Sequence, residues 1–325
     1  LDYRHRVVVQ ILTIRMNIAR IVRNSAGILL LFCSCATPDF SRRDLPAEVS
    51  FNQGAGRGDF LFVALRLKNG DELLFAVDTG FPFTVLDKSL ESKLGKCVFT
   101  NQIHYAWYPT SEGHVYGAPE LFLGNTRLIT GNRVHTDDLG RMFPSRDNAS
   151  RRVLGILGMD CLQHYCIQLN FMDGKMRFLD PNHLATDVLG KAYPLTISTR
   201  APKDRPYIGQ SLAGVKGTKS WIDTGDPNDG YLVPELFEQE LQNQPGTVTK
   251  QIKTPAGTPI NVAKFPDGAF DGETYTNLNV QEDPGGNVIG LRFLARHLVT
   301  FNFPKRMMYL KRERAGPLDL DSGNR

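Results

Sequence analysis

Cysteine, tryptophan and long helical periodicities are all scarce in this chain. Of its 325 residues five are Cys and two are Trp, and segments of 3.6-residue apolar period are few and short, which argues against a helical bundle. No ligand pattern of the C-x-x-C or H-E-x-x-H kind occurs, so no metal and no other cofactor is expected. Charge of one sign is also missing from most of the chain. The net charge of +4 lies wholly in residues 1–34, where Arg4, Arg6, Arg15, Arg20 and Arg23 face only Asp2; the remaining body is neutral and gives no reason to expect a nucleic-acid partner. What is present is globular in composition, 41% hydrophobic and 22% charged, enough for a sizeable core and too apolar for disorder. The length is about twice that of a typical single domain, which points to two domains or one bilobal unit.

From Met16 onward the first residues read as a secretory signal. Arg20 and Arg23 make a positive start, and Ala26 to Phe32 is an apolar core ending in small residues; it is too short to span a bilayer. Phe32-Cys33-Ser34-Cys35-Ala36 resembles a bacterial lipobox, with Cys35 as the lipidation candidate. Residues 1–35 are therefore expected to be a leader. The body would then be a cell-envelope protein, periplasmic or anchored to the outer membrane, touching the membrane only through a lipid at Cys35. Ser34-Cys35-Ala36 also suits plain signal-peptidase cleavage, which would give a secreted protein. With Cys33 and Cys35 in the leader, Cys97, Cys161 and Cys166 remain; at most one pair can form, and small buried hydrophobes are the expected state.

The body consists of short alternating stretches separated by Gly, Pro and Asn, the pattern of a mainly β protein. Phe60 to Leu67 and Glu72 to Val77 flank Lys68-Asn69-Gly70-Asp71, a hairpin signal because Asn and Gly tolerate positive φ. That hairpin runs into Asp78-Thr79-Gly80. The same arrangement returns as Tyr207 to Leu212, a turn at Gly214 to Gly217, Thr218 to Ile222, and Asp223-Thr224-Gly225. A short helical stretch is expected after each triplet, Val85 to Leu90 and Leu232 to Phe237, with Pro234 in a first helical turn. A second signature closes each half: Leu154-Gly155-Ile156-Leu157-Gly158 is echoed by Val288-Ile289-Gly290, and both lead to Asn-Phe pairs at Asn170 and Asn302. The closing glycines and the Asn-Phe pairs are both 132 residues apart and the triplets 145, so the second half is 13 residues shorter between its signatures. One Asp-Thr-Gly arises by chance in about one chain of this length in twenty, and two in roughly one in several hundred. The halves meet near Asp180 to Lys203, a connection with Pro181, Pro194 and Pro202. This organisation gives a leader over 1–35, a first lobe over 36–190 and a second over 191–325.

Two apolar-Asp-Thr-Gly triplets, each followed by an apolar-apolar-Gly segment, make the chain resemble the aspartic proteases of the pepsin and retropepsin type, over about residues 48–312, and its repeat units resemble bacterial retropepsin-like sequences. The resemblance implies an all-β, bilobal fold with one triplet per lobe meeting at a pseudo-twofold axis, a peptide or protein substrate, and a monomer, since both triplets lie in one chain. It implies that Thr79 and Thr224 bond across the lobe interface, that Gly80 and Gly225 permit close backbone approach, that Gly158 and Gly290 sit behind the triplets, and that a flap covers the cleft. Ile103 to Tyr108, a turn at Pro109 to Gly113, and His114 to Tyr116 are the expected flap, with Trp107, Tyr108 and Tyr116 as candidates for the covering aromatic. Thr254 to Pro259 is the matching turn in the second half, expected as a reduced flap. His104, His114, His135 and His164 are expected in surface or packing roles.

The chemistry accounts for the residue types independently. Hydrolysis of a peptide bond with neither metal nor covalent nucleophile needs an activated water, and two adjacent carboxyl groups sharing one proton can act as base and acid. Asp78 and Asp223 are the candidate pair. Two positions depart from the resembled pattern: Phe81 and Asp226 stand where a hydroxyl residue usually follows the triplet. Loss of those hydroxyls removes stabilisation of the charged form, and Asp226 is expected to raise the pair's effective pKa. The alternative reading is a non-catalytic envelope lipoprotein that keeps the aspartic-protease fold and grips peptides or another protein in the same cleft.

Overall fold

The computed structural model describes residues 48–104, 107–144, 152–199 and 204–318; the leader and Cys35 lie outside them. The hairpin at Asn69-Gly70 is formed by strands Phe62–Leu67 and Glu72–Val77, paired from Phe62↔Ala76 to Arg66↔Glu72. Val63, Leu65 and Leu67 on one strand and Leu73, Phe75 and Val77 on the other are buried, following the two-residue period of a strand with one face on the core. Gly70 takes the φ of +95° required at the turn.

The two halves repeat the same strand order. One sheet of nine strands runs Phe99–Ile103, Ser111–Gly117, Arg133–Asp137, Val85–Asp87, Val153–Leu157, Glu72–Val77 and Phe62–Leu67, and ends in the small hairpin Leu121–Leu123 and Thr126–Arg127. A sheet of eight strands runs Val248–Lys253, Pro259–Phe270, Glu273–Glu282, Gly230–Leu232, Asn287–Gly290, Ser220–Asp223, Pro206–Ile208 and Thr196–Ile197. In both, the strand entering the triplet lies parallel to the strand that ends at the closing glycine, with Val77 opposite Leu157 and Asp223 opposite Gly290. The Leu121–Arg127 hairpin belongs to the first half alone, where the second half turns back at Asp271-Gly272, and accounts for part of its extra length.

A third sheet joins the halves. Glu48–Ser50, Lys175–Leu179 and Cys166–Asn170 come from the first; His297–Asn302 and Met307–Arg312 come from the second, followed by Lys191–Pro194. At its centre Cys166–Asn170 and His297–Asn302 pair antiparallel, in a register symmetric about Gln168↔Thr300. Those two residues are themselves equivalent in the 132-residue repeat, and the Gln168 amide donates to Thr300 Oγ1 at 3.0 Å. The pseudo-twofold axis therefore passes through this pair. One continuous apolar core extends through both halves, from Phe51 to Leu318, each buried Leu or Phe contributing about 1.5–3 kcal/mol.

Several expectations need correction. The stretch after the first triplet is a strand, Val85–Asp87, and then a 3-10 turn over Lys88–Lys93 whose start is capped by the Asp87 carboxylate; only the second half makes an α-helix there, Pro234–Asn243, with Pro at its first position. The strand expected over Tyr207 to Leu212 is shorter, Pro206–Ile208. Residues 180–203 are more than a connection, since Lys191–Pro194 pairs with Met307–Leu310. Cys97, Cys161 and Cys166 are free thiols, the last two buried.

Candidate active site

Hydrogen bonds between the two threonines' segments bring the two triplets together. Asp78 N–H donates to Leu157 O at 3.1 Å, anchoring the first triplet to the strand that closes its half. The Gly80 N–H donates to Asp78 Oδ1 at 2.7 Å, and the Gly225 N–H to Asp223 Oδ1 at 2.8 Å. Each carboxyl group faces the glycine of the other triplet, Asp223 at Gly80 and Asp78 at Gly225, and the two titrate as a coupled pair. Burial, joined by the charge of Asp223, raises Asp78 well above an ordinary aspartate, and burial raises Asp223. The pair therefore retains a proton to higher pH than either group would alone.

Thr79 and Thr224 interlock beneath the pair. Thr79 Oγ1 donates to Ile222 O at 2.8 Å and accepts from the Thr224 N–H at 3.0 Å; Thr224 Oγ1 donates to Val77 O at 2.8 Å and accepts from the Thr79 N–H at 3.0 Å. Both threonines are buried, so four bonds cross between halves in a solvent-free setting where each counts. The glycines are required by space. A Cβ on Gly80 would lie 2.5 Å from an Asp223 oxygen, and one on Gly225 would lie 2.3 Å from the Asp78 carboxyl carbon. Behind the loops, a Cβ on Gly158 would lie 2.4 Å from the Phe83 carbonyl oxygen, and one on Gly290 2.4 Å from that of Asn228. The turns that follow are pinned alike: Met159 N–H donates to Phe81 O at 2.8 Å and Leu291 N–H to Asp226 O at 2.8 Å.

Two further groups set the local electrostatics. Arg205 lies beside the pair, its Nε–H donating to Gly80 O at 3.2 Å and its guanidinium 3.5 Å above the Trp221 ring; its charge opposes the rise in both aspartates. Asp226 is buried, and burial together with the charge of Asp223 pushes it up to about 7. Its Oδ1 accepts from the Asn228 backbone and side-chain amides at 3.1 and 2.9 Å. Asp223 and Asp226 disfavour each other's charged form, while the Asp226 backbone N–H favours the charged form of Asp223.

No family profile and no curated protein sequence matches this chain. Among solved structures, an aspartic proteinase from Irpex lacteus matches with a TM-score of 0.52 at 14% identity, over 82% of this chain and 97% of the other. The fold is the bilobal, pepsin-like one.

Above the floor of this pepsin-like fold is a cleft of about 310 Å³. Phe60, Phe81, Tyr108, Met142, Phe143 and Ile156 line its first-half side; Asn228, Tyr231, Ile260, Gln281 and Asp283 line the other. Two hairpins close over it. The first consists of Phe99–Ile103 and Ser111–Gly117, so Ser111 to Gly113 lie in a paired strand and not in the expected turn. Trp107 at this tip donates from Nε1 to Tyr231 Oη at 3.2 Å and meets that ring edge-on, and its carbonyl accepts the Ala256 N–H at 3.0 Å. The second consists of Val248–Lys253 and Pro259–Lys264 with its turn at Thr254–Thr258; it is a full hairpin in contact with the first, not a reduced one. Tyr108 lines the cleft. Tyr116 does not: it is buried in the core, because the alternation that turns His114 and Tyr116 to one face of the strand also turns that face away from the cleft. His104 lines the cleft rather than a plain surface, while His135 stacks on Phe83 at 3.8 Å and His114 bonds Glu91 at 2.9 Å. Arg205, Tyr231 and the Met142-Phe143 wall have no sequence signature, since each acquires its place only when distant segments pack together.

Proposed function

We propose that this chain is an aspartic endopeptidase that hydrolyses peptide bonds in peptide or protein substrates with a water activated by Asp78 and Asp223. The observation that carries this reading is the placement of the two carboxyl groups at the floor of the cleft, each facing the other triplet's glycine and each held by its own glycine N–H. The ionised member takes a proton from the water as its oxygen attacks the scissile carbonyl carbon, and the protonated member gives its proton to the carbonyl oxygen. The tetrahedral diol then collapses: the carboxyl that took the water proton gives it to the leaving nitrogen, the other carboxylate takes a hydroxyl proton from the diol, and the C–N bond breaks to release the amine and the acid. Thr79, Thr224, Gly80, Gly225, Gly158 and Gly290 hold the reacting carboxyls in this placement; Trp107 and Tyr108 cover the substrate. Both aspartates come from one chain, so the active unit is a monomer. The enzyme works in the cell envelope, delivered by residues 1–35 and tethered at Cys35.

Incubation with a mixed peptide library between pH 3 and pH 8 tests the reading. The protein should cleave, Asp78→Asn and Asp223→Asn should each abolish cleavage while remaining folded, and a statine-type peptide should compete. Cleavage by neither the protein nor its variants would favour a second reading, a binding protein that keeps the cleft, for which Phe81 and Asp226 in place of hydroxyl residues are the specific support. Palmitate labelling of the full chain, lost in Cys35→Ala, tests the tether.

A further inference from the structure

Arg205 precedes the strand Pro206–Ile208, outside both triplets and both closing signatures. Its side chain nevertheless touches the first triplet loop and the strand that enters the second triplet. The guanidinium lies flat on Trp221, two residues before Asp223, and its Nε–H is bonded to the carbonyl of Gly80, two residues after Asp78. It also lines the cleft beside the two carboxyl groups. A planar guanidinium can stack on an indole while its edge donates hydrogen bonds; the rounded, heavily hydrated ammonium of lysine cannot do both. The positions after the triplets, Phe81 and Asp226, have no hydroxyl to favour the charged form of the pair.

We propose that Arg205 is a positioning residue for the dyad: its guanidinium ties the first triplet loop to the strand that enters the second triplet and supplies the positive charge that favours the singly ionised pair. This rests on the protease reading given above. The other charged or titratable groups around the pair are Asp226 and Tyr231 from the second loop and its following strand, Tyr207 on the strand that Arg205 precedes, and His104, Tyr108, Lys253 and Asp283 on the cleft wall. Among these, Arg205 is the cation that acts on both Asp78 and Asp223.

The experiment measures kcat/KM against pH for the full chain and for Arg205→Lys, Arg205→Gln and Arg205→Met, together with the carbon-13 titration of the aspartate carboxyls, which needs no turnover. Removing a nearby cation raises both macroscopic titrations of a carboxyl pair, so in Arg205→Gln and Arg205→Met both limbs of the pH profile and the carboxyl titrations should move up by about one pH unit. Arg205→Lys should keep the limbs near their original positions and lower kcat, because the charge remains and the stacked bridge is lost. Unmoved titrations in the Gln and Met variants, or an equal shift in the Lys variant, would overturn the proposal. If Arg205→Met does not fold, Arg205→Gln decides; if neither folds, Arg205 is structural only and the proposal fails. A protein that cleaves nothing but shows the carboxyl shift would sink the protease reading while leaving this electrostatic role standing.

Discussion

The two triplet loops share one backbone design and have opposite surroundings. After Gly80 come Phe81, Pro82 and Phe83, with Phe81 and Phe83 in edge-to-face contact at 5.1 Å and Phe83 stacked on His135. After Gly225 come Asp226, Pro227 and Asn228, joined by hydrogen bonds, and then Asp229, whose carboxylate meets Arg296 at 2.7 Å with both side chains fully buried. Arg296 also donates to Thr276 O and Ala315 O at 2.7 Å, which satisfies the buried charge further. Around the triplets, side-chain symmetry is thus confined to what sets the position of the two carboxyls: the glycine amides, the crossed threonines and the glycines behind. Everything one layer outward is free to differ, and in this chain one loop is greasy and the other ionic. The pH response should accordingly reside mainly in the second.

Substitutions made in matched pairs test that division. The largest effect is expected at the dyad, where Asp78→Asn and Asp223→Asn should each lower kcat/KM by about a thousandfold or more; a large difference between them would show that the halves do not contribute equally. Next come Thr79→Val and Thr224→Val. Each removes one donor and one acceptor from the buried lattice and leaves its partners unpaired, a cost of about 2–3 kcal/mol. Denaturant titration should give the same loss for both, and unequal losses would break the symmetry argument. Asp226→Asn has no counterpart in the first half. Asp226 titrates near 7 in the folded chain and near 3.8 as the ordinary value, so the folded state holds the extra proton between those limits and stability falls as pH rises through them. The Asn variant should therefore be more stable than the unaltered protein at pH 8, by on the order of 2 kcal/mol, and no more stable at pH 3, where folded and unfolded chains both carry the proton. Thermal melts at the two pH values measure this, and an equal gain at both would show that burial of the charge is not the cause. The smallest effect is expected at Trp107→Phe, which keeps the ring contact with Tyr231 and loses its hydrogen bond. KM should rise about fivefold with kcat nearly unchanged.

Local pattern and repetition made much of the architecture legible before the structure. The Asn69-Gly70 hairpin, the two triplets and the two closing glycines all depend on interactions over a few residues or on positions where a Cβ has no room, and such constraints leave a mark in the chain. Short apolar runs were less informative: Val85-Leu86-Asp87 is too brief to separate strand from helix by period, and the neighbouring sheet decided for strand. Tyr116 illustrates a different limit. Alternation assigns it a face but does not say which face looks into the cleft. Arg205 and Tyr231 were out of reach for a plainer reason, because each gains its role from a partner in the other half: Gly80 for one and Trp107 for the other.

The central sheet carries one more consequence. Cys166–Asn170 and His297–Asn302 are each the inner neighbour of the other, so neither half has a finished edge without its counterpart. A chain severed within the connection would leave two strands with open backbone donors and acceptors, ready to pair with any other strand they meet. The seam that centres the catalytic pair is therefore also the molecule's guard against aggregation, and the two halves are expected to melt in a single transition.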